Sequence, residues 1–513
     1  MKKPLLVALV ALSVVLLMAA LRHHQISLDT LRGWLTQAEV WRTERMLALP
    51  PMVLCGICRG HSAVAATCRL DDPCRWCAVR ILGWVCAGLV RLNGRGHAGL
   101  SDGALFLSRP GARPPWRPCS RCRERPCTGR YTGLGVEVLQ GHANLIDPWT
   151  VEIAIKGGDT RRLTTRAIII ATGAAPFVPP LPGLDDVGCL NSDTPWDALR
   201  DRTEPPKRLV VLGGGPIGSE LAQSFARLGS QVTQIEMAPR IMIREDEEVS
   251  ALVQASLSRD GVRVLTGHKA LSCGVSDGAK WIDVEHKGQK SRIEFDDLIA
   301  AVGRAPRLKG FGLEELGIPV NRLVETNEYL ETLYPNILAA GDVAGPYQFT
   351  HTAGHQAWFA AVNALFGNIK RFNADYRVIP WATFTDPEVA RVGLSEAEAR
   401  EKGVPFEVIR YGIDDLDRAI ADGTTEGFVK VLTVPGRDRI LGVTLVGAHA
   451  GDLIAEFVLA MKLGLGLGKI LGTIHIYPTL AEANKYAAGE WRRAHVNPRL
   501  LALVERFHSW RRG

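Results

Sequence analysis

The chain has 513 residues, 46% hydrophobic and 22% charged, enough for roughly three domains at the usual 100 to 200 residues each. The composition is globular, and although the formal net charge is +7, no run of like charge marks a nucleic-acid-binding tail. Nine of the eleven cysteines fall between Cys55 and Cys127, so the long C-terminal body, with only Cys189 and Cys273, has no disulfide framework and fits a reducing compartment.

Pro4 to Leu21 form eighteen uncharged, mostly apolar residues behind Lys2 and Lys3. That is just long enough for a helix to cross a bilayer, so residues 1–54 are expected to hold a membrane anchor and the start of a membrane segment. A cleaved signal peptide is the competing reading, and Met18-Ala19-Ala20 is a poor cleavage site for it. The two lysines keep the N-terminus in the cytoplasm, and a single span would place everything after it on the far side.

Residues 55–130 are anomalous, with thirteen Arg, no Lys and four acids between Cys55 and Arg130. Cys55 and Cys58 with Cys74 and Cys77 have zinc-ribbon spacing, which would suit a membrane-anchored zinc protein. Gly94-Arg95-Gly96-His97-Ala98-Gly99 matches GxGxxG, and Cys122 and Cys127 are spaced like a redox pair. No helical apolar pattern or acid follows these glycines, and the segment has no sustained period of 2 or 3.6.

Reading the codons one base later from Arg59 lets Cys74-Arg75-Trp76-Cys77 become Ala-Gly-Gly-Ala. The stretch Val90 to Gly103 becomes Phe-Ala-Ser-Thr-Val-Gly-Ala-Thr-Leu-Ala-Phe-Leu-Thr, small-residue membrane sequence suited to close helix packing. It resembles the VTT (SNARE-associated) membrane family. Arg59 to about Leu107 is therefore expected to be out of frame relative to an ancestral membrane domain, with a deletion following.

At Lys207 to Leu212 a basic start leads into an apolar run with the length and β-branching of a buried parallel strand. It feeds Gly213-Gly214-Gly215-Pro216-Ile217-Gly218-Ser219-Glu220, then Leu221, Ala222, Phe225 and Leu228 at helical spacing. Gly213 and Gly215 permit a tight turn and close approach of a pyrophosphate, Gly218 lets helix and strand pack, and the helix N-terminus favours the anion. A second strand, Gln231 to Ile235, ends in Glu236, 18 residues beyond Gly218. A carboxylate there accepts from a ribose 2′-OH and repels a 2′-phosphate, so NADH is expected over NADPH, with Arg240 nearby.

Ala167 to Ala174 is an apolar strand opening into a turn at Thr172-Gly173, and Asn336 to Ala344 repeats the pattern with Asp342 after Gly341. With the glycine loop and Ala301-Val302-Gly303-Arg304-Ala305-Pro306, these segments resemble the class I pyridine nucleotide-disulfide oxidoreductases over about Tyr131 to His495. The resemblance implies an α/β fold of two Rossmann-like FAD/NAD(P)-binding domains plus a C-terminal α+β dimerisation domain. FAD would take residues 131–200 and 301–366, NAD(P)H residues 201–300, and dimerisation residues 370–495. It implies hydride transfer from NADH to FAD and on to a disulfide or metal acceptor. Asp342 would hold the flavin ribityl chain, Thr172 and Gly173 would border FAD, Gly141 and Ala143 would pass near its adenosine, and Gly303 would contact NAD.

In that family a first FAD fingerprint and a redox cysteine pair precede the point where the match begins, and neither is recognisable here. Glu220 would lose the lysine it pairs with there, leaving a buried unpaired charge. The chain then reads as an oxidoreductase by descent, or as an impaired member that still binds NADH. Because VTT domains occur fused ahead of such flavoproteins, an intact ancestor would recross the cytoplasmic membrane and keep its enzyme body in the cytoplasm.

Phe428 to Leu432 and Ile440 to Val443 alternate like antiparallel strands of the dimerisation domain. The family sends a loop from this domain into the partner's site, matching Thr473-Ile474-His475-Ile476-Tyr477-Pro478-Thr479-Leu480-Ala481-Glu482 here. Where lipoamide dehydrogenase places a histidine before the proline, oriented by the later glutamate, this chain has Tyr477, with Glu482 retained. A phenol with a pKa of about 10 is a poor base at neutral pH, so ordinary thiol exchange is not expected. Tyr477 is nearer the mercuric-reductase branch, and His475 is expected to be structural.

Overall fold

A computed structural model describes residues 131–513. The expected anchor at residues 1–54 and the out-of-frame segment at 55–130, with its cysteine pairs and GxGxxG, lie outside the described residues. Within 131–513 no helix is long and apolar enough to cross a membrane.

The first elements form a small antiparallel sheet of β1 (Gly141–Asp147), β2 (Thr150–Ile155) and β3 (Thr160–Thr164). Strand β4 (Ile168–Ile170) and the short β5 (Ala174–Pro176) follow, and β6 (Leu190–Asn191) enters the next domain. There β7 (Arg208–Leu212), helix α1 (Pro216–Arg227), β8 (Gln231–Glu236), helix α2 (Glu247–Arg259) and β9 (Arg263–Thr266) wind a parallel sheet. A hairpin layer, β10 (Lys269–Ser276), β11 (Ala279–His286) and β12 (Gln289–Phe295), precedes β13 (Asp297–Ala300), which returns to complete the order β6-β13-β7-β8-β9.

The burial of β7 explains its unbroken apolar run. Leu209 and Val211 pack with Leu221, Ala222, Val249, Val253 and Leu257 on the helical side. Val210 and Leu212 pack with Ile282, Val284, Ile293 and Phe295 of the hairpin layer on the other. A strand covered by apolar layers on both faces favours an unbroken apolar run, as from Leu209 to Leu212.

Strand β14 (Arg304–Pro306) pairs with β5, and β15 (Ile337–Ala339) runs parallel to β4 ahead of helix α3 (Thr350–Phe366). Ile170, Ile337 and Ala339 share a core with Leu145, Leu313, Ile318 and Val343. Ile169, on the opposite face of β4, is 39% exposed.

The last domain is an antiparallel sheet of β16 (Pro380–Thr383), β17 (Glu388–Gly393), β18 (Glu407–Gly412), β19 (Phe428–Thr433) and β20 (Ile440–Gly447), ordered β16-β17-β20-β19-β18. The expected two-residue alternation is absent in β19, where every residue is buried. Val429 and Val431 face Ala483, Ala487 and Trp491 of helix α4 (Glu482–Ala494), whereas Phe428, with Val446 and Val389, joins the core of the nucleotide-binding domain. At β19 the sheet is thus a middle layer, covered on both faces.

Charges tie the same two domains together. Lys430, 1% exposed, reaches Asp246 at 2.6 Å, Glu248 at 2.7 Å and Glu396 at 3.0 Å. Arg391, equally buried, pairs with Glu245 at 3.2 Å and Glu398 at 2.9 Å, and its guanidinium lies 4.3 Å over the Trp381 ring. A final helix, α5 (Pro498–Arg512), has no buried residue.

Candidate functional site

The glycine turn lies at the C-terminal end of β7, the edge where open α/β sheets bind ligands. Gly213 has φ +110°, and a Cβ there would strike the Ala301 carbonyl, so this position admits only glycine. A Cβ on Gly218 would overlap the carbonyl oxygen of Gly213, which is how α1 comes to sit directly on the turn. Gly215 faces open space within 4 Å and is the N-cap of α1, with Pro216 at the first helical position. These features leave room for a phosphate against amides that have no partner within the helix.

Glu236 ends β8 with its carboxylate held by two backbone donors. The Gly214 N–H donates to Oε2 at 2.5 Å and the Ala238 N–H to Oε1 at 2.7 Å. Each oxygen takes one donor, so each retains accepting capacity for a ribose hydroxyl. The sequence reading missed what backs this turn: the N–H of His268 donates to the Glu236 carbonyl at 3.0 Å, and the His268 and His286 rings stack at 4.4 Å. No periodic pattern announces that pair, because His268 lies in the turn between β9 and β10 and His286 ends β11. Arg240 donates to the carbonyls of Met242 and Ile243 and is engaged in shaping its own loop.

The second set of expected residues converges around β4 and β15. The Thr172 hydroxyl donates to the Arg307 carbonyl at 3.2 Å, and Gly173, with φ +67°, accepts from the Arg307 N–H. Gly303, with φ +132°, accepts from the Phe177 N–H. Asp342 follows β15, and Arg304 Nε is 3.9 Å from its Oδ2. That long ion pair leaves a part-exposed carboxylate able to accept further hydrogen bonds. Gly141 and Ala143 lie on the exposed start of β1, and a Cβ on Gly141 would strike the Ala154 carbonyl of β2. Glycine is thus required there by strand pairing alone.

Gln356 was also missed. Fully buried in α3, it accepts from the Gly341 N–H at 2.7 Å and donates to the Gly345 carbonyl at 2.5 Å and the Tyr376 hydroxyl at 2.8 Å. It clamps the turn that carries Asp342. The available signal was an amide on the same helix face as Thr352, Ala360 and Asn363, which are also buried.

Glu220 is 5% exposed, and its Oε1 accepts from the Phe384 N–H at 2.8 Å. The expected unpaired charge is therefore partly corrected: no cation faces it among the described residues, but one backbone donor does. Burial pushes its carboxyl up to about 7, against the Phe384 bond and with help from Glu388. A raised folded-state value contributes stability below the ordinary glutamate range that is lost as pH rises through about 7. Glu220→Gln is accordingly expected to flatten the fall in melting temperature between pH 5 and 8, measured by scanning calorimetry; a curve still parallel to the wild type's would refute the assignment.

In the loop at 473–482, both His475 nitrogens are engaged, Nδ1 with the Thr473 carbonyl at 3.0 Å and Nε2 with Glu456 at 3.0 Å. Both ring nitrogens of His475 are thus taken up within the chain. Tyr477 is 66% exposed and donates to Asp417 at 2.7 Å. Glu482 accepts instead from the Thr479 N–H at 3.3 Å and the Tyr486 hydroxyl at 3.4 Å. Within one chain the two expected catalytic residues have separate partners. The bond to Asp417 raises the Tyr477 phenol above its ordinary value, which keeps it a hydrogen-bond donor at neutral pH. The two free thiols supply no substitute redox pair, since burial pushes Cys189 up to about 11 and Cys273 up to about 12.

Comparison with known proteins agrees with this geometry. The pyridine nucleotide-disulphide oxidoreductase family model matches residues 119–357, and that family's dimerisation-domain model matches residues 379–488. The chain is 38% identical over 370 residues to a dihydrolipoyl dehydrogenase of Thermus scotoductus, covering 70% of this chain and 76% of the relative. It is 34% identical to a mercuric reductase of Staphylococcus aureus, covering 72% and 66%. Among solved structures, the copper(II) complex of the hypochlorous-acid-induced flavoprotein disulfide reductase RclA from Escherichia coli superposes with a TM-score of 0.62. It is 28% identical and covers 68% of this chain and 78% of that one.

Proposed function

Because the chain belongs to the pyridine nucleotide-disulphide oxidoreductase family, which uses FAD and NAD(P)H, we propose that it draws its hydride from NADH in preference to NADPH. The family assignment makes it an FAD-dependent oxidoreductase with a dimerisation domain, hence a homodimer. FAD, when bound, supplies the two-electron relay between nicotinamide and acceptor. This chain's residues orient the partners: the turn at 213–218 seats the dinucleotide phosphates, Glu236 reads the adenosine ribose, and Asp342 holds the flavin's hydroxylated chain.

The observation that carries the coenzyme choice is the Glu236 carboxylate, fixed by Gly214 and Ala238. Replacing it with alanine is expected to reduce the ratio of kcat/KM for NADH over NADPH by on the order of 100-fold, the scale on which loss of a hydrogen-bonding group changes selection. An unchanged ratio would remove the basis for the assignment.

The acceptor is of the disulfide or metal-ion class that the relatives' names describe. Tyr477, a phenol held protonated by Asp417, suits donation to a bound acceptor better than deprotonation of a thiol, which favours the metal side. Residues 1–54 tether the enzyme to the cytoplasmic membrane with its body on the cytoplasmic side, and Arg59 to about Leu107 is the out-of-frame remnant of a VTT-like domain. Composition supports the latter reading, as does the start of the family match at residue 119, beyond that remnant. An intact reading frame in homologous genomic DNA would contradict it.

An impaired enzyme that keeps NADH but binds FAD weakly is the second reading, favoured by the exposure of Ile169 on a β4 that, among the described residues, pairs only with β15. The visible spectrum of the purified protein separates the two. Flavin bands that bleach on adding NADH establish the competent enzyme, whereas a colourless protein that still binds NADH establishes the impaired one.

A further inference from the structure

Helix α5 stands outside everything described so far. It begins ten residues beyond the end of the dimerisation-domain match at residue 488, and none of its fifteen residues is buried. Asn497 caps it by accepting from the Arg499 N–H at 2.9 Å, with Pro498 at the first helical position, so its start is encoded locally.

Its sequence is two-faced. Leu500, Leu503, Val504, Phe507 and Trp510 follow the spacing of one helical stripe and are 57%, 63%, 43%, 49% and 77% exposed. Arg499 and Arg506 flank this stripe, Arg512 and the exposed Leu501 lie on the far side, and Arg511, one turn after Phe507, falls within the stripe with its guanidinium 5.8 Å from the Phe507 ring centroid. The helix carries four arginines against the single acid Glu505.

Five large apolar side chains in one exposed stripe require a cover. A second copy of the helix is a poor one, because pairing through this face sets arginines against arginines with only Glu505 to offset them. A surface that is negatively charged outside and apolar a few ångströms below matches both halves of the pattern at once. A helix of this length, about 22 Å, can lie flat in the headgroup region with Trp510 at the boundary.

We propose that α5 is an interfacial helix that binds anionic phospholipid, giving the enzyme a membrane contact at its C-terminal end independent of the apolar run at Pro4 to Leu21. The contact requires no cofactor, and its readout does not depend on the hydride reaction.

The test is flotation of the full-length protein with vesicles of phosphatidylcholine alone or mixed with phosphatidylglycerol, at low and high salt. Three proteins are compared: the unaltered chain, Phe507→Glu with Trp510→Glu, and Arg506→Glu with Arg512→Glu. Because the N-terminal run holds the chain on both vesicle types alike, the readout is the excess binding to phosphatidylglycerol over neutral vesicles, which the unaltered chain is expected to show and to lose at high salt, since each arginine near the surface adds attraction. Both variants are expected to lose that excess while keeping NADH affinity, which verifies that they fold. Variant binding equal to the unaltered chain's would overturn the proposal and leave the N-terminal run as the membrane contact. A change in oligomeric state by light scattering without vesicles, with flotation unchanged, would overturn it in favour of self-association.

Discussion

Gly218→Ala is expected to raise the KM for NADH by more than about tenfold and to cost about 1 to 3 kcal/mol of stability, the range for forcing an extra methyl into packed surroundings. The added Cβ would overlap the Gly213 carbonyl oxygen and lie 3.0 Å from its carbon. Neither atom can yield alone, because the Gly213 N–H bonds the Ile235 carbonyl at 2.8 Å and Gln234 donates to the Gly213 carbonyl at 3.0 Å. Movement must pass along the turn to Gly214, whose N–H fixes Glu236. Gly215→Ala is the contrasting case. Its φ of −76° suits any residue and its Cβ meets nothing within 4 Å, so melting temperature should hold while the methyl intrudes only on the bound phosphate. Titration calorimetry with NADH, paired with thermal melts, distinguishes the two. A Gly218→Ala protein that binds and melts like the wild type would show that the turn yields where the packing says it cannot.

Lys430→Met is expected to be the most damaging single substitution in the body of the protein, at about 3 to 5 kcal/mol, the cost of stranding buried charge. Three carboxylates converge on this ammonium, and the Asp246 side chain is only 8% exposed. Burial alone would push Asp246 up, but the Lys430 hydrogen bond and charge, with the Ala397 and Glu396 N–H groups, hold it below the ordinary carboxylate range. Burial likewise opposes the Lys430 charge, and the three carboxylates outweigh it, raising the lysine above its ordinary value. The signs define a window. The depressed carboxylate contributes stability that is lost as pH falls below the ordinary carboxylate range, and the raised lysine contributes stability that is lost as pH rises through and beyond the ordinary lysine range. Between these limits the substitution should cost its full amount, and its penalty should shrink in acid as Asp246 becomes protonated. Chemical denaturation at pH 7 and at about pH 3, below the ordinary carboxylate range, reads both values. Equal penalties at the two pH values would mean that packing, and not charge, links the domains.

The nucleotide turn was legible because its determinants are local. Strand β7, the glycines, the first turn of α1 and Glu236 lie within thirty residues, and Gly213, Gly214 and Gly218 each answer a clash with a neighbour the βαβ geometry fixes. The capped, amphipathic α5 was legible in principle for the same reason, since a helix that packs on nothing is specified by its own residues.

What the chain could not disclose without its fold are the contacts made across long separations. Tyr477 finds Asp417, 60 residues away, in place of Glu482, and Glu220 finds the Phe384 N–H across 164 residues. The stack of His268 on His286 and the Gln356 clamp on the Asp342 turn are equally invisible to periodicity. Strand β19 shows the limit most clearly: its residues fit an alternating surface strand, yet all are buried because one domain covers each face. Local sequence set the secondary structure and the phosphate-binding turn, since turn sterics and helix caps act over a few residues. Only tertiary packing decided which buried charges have partners and which phenol stays protonated, because desolvation and hydrogen bonding depend on every element that closes around a group.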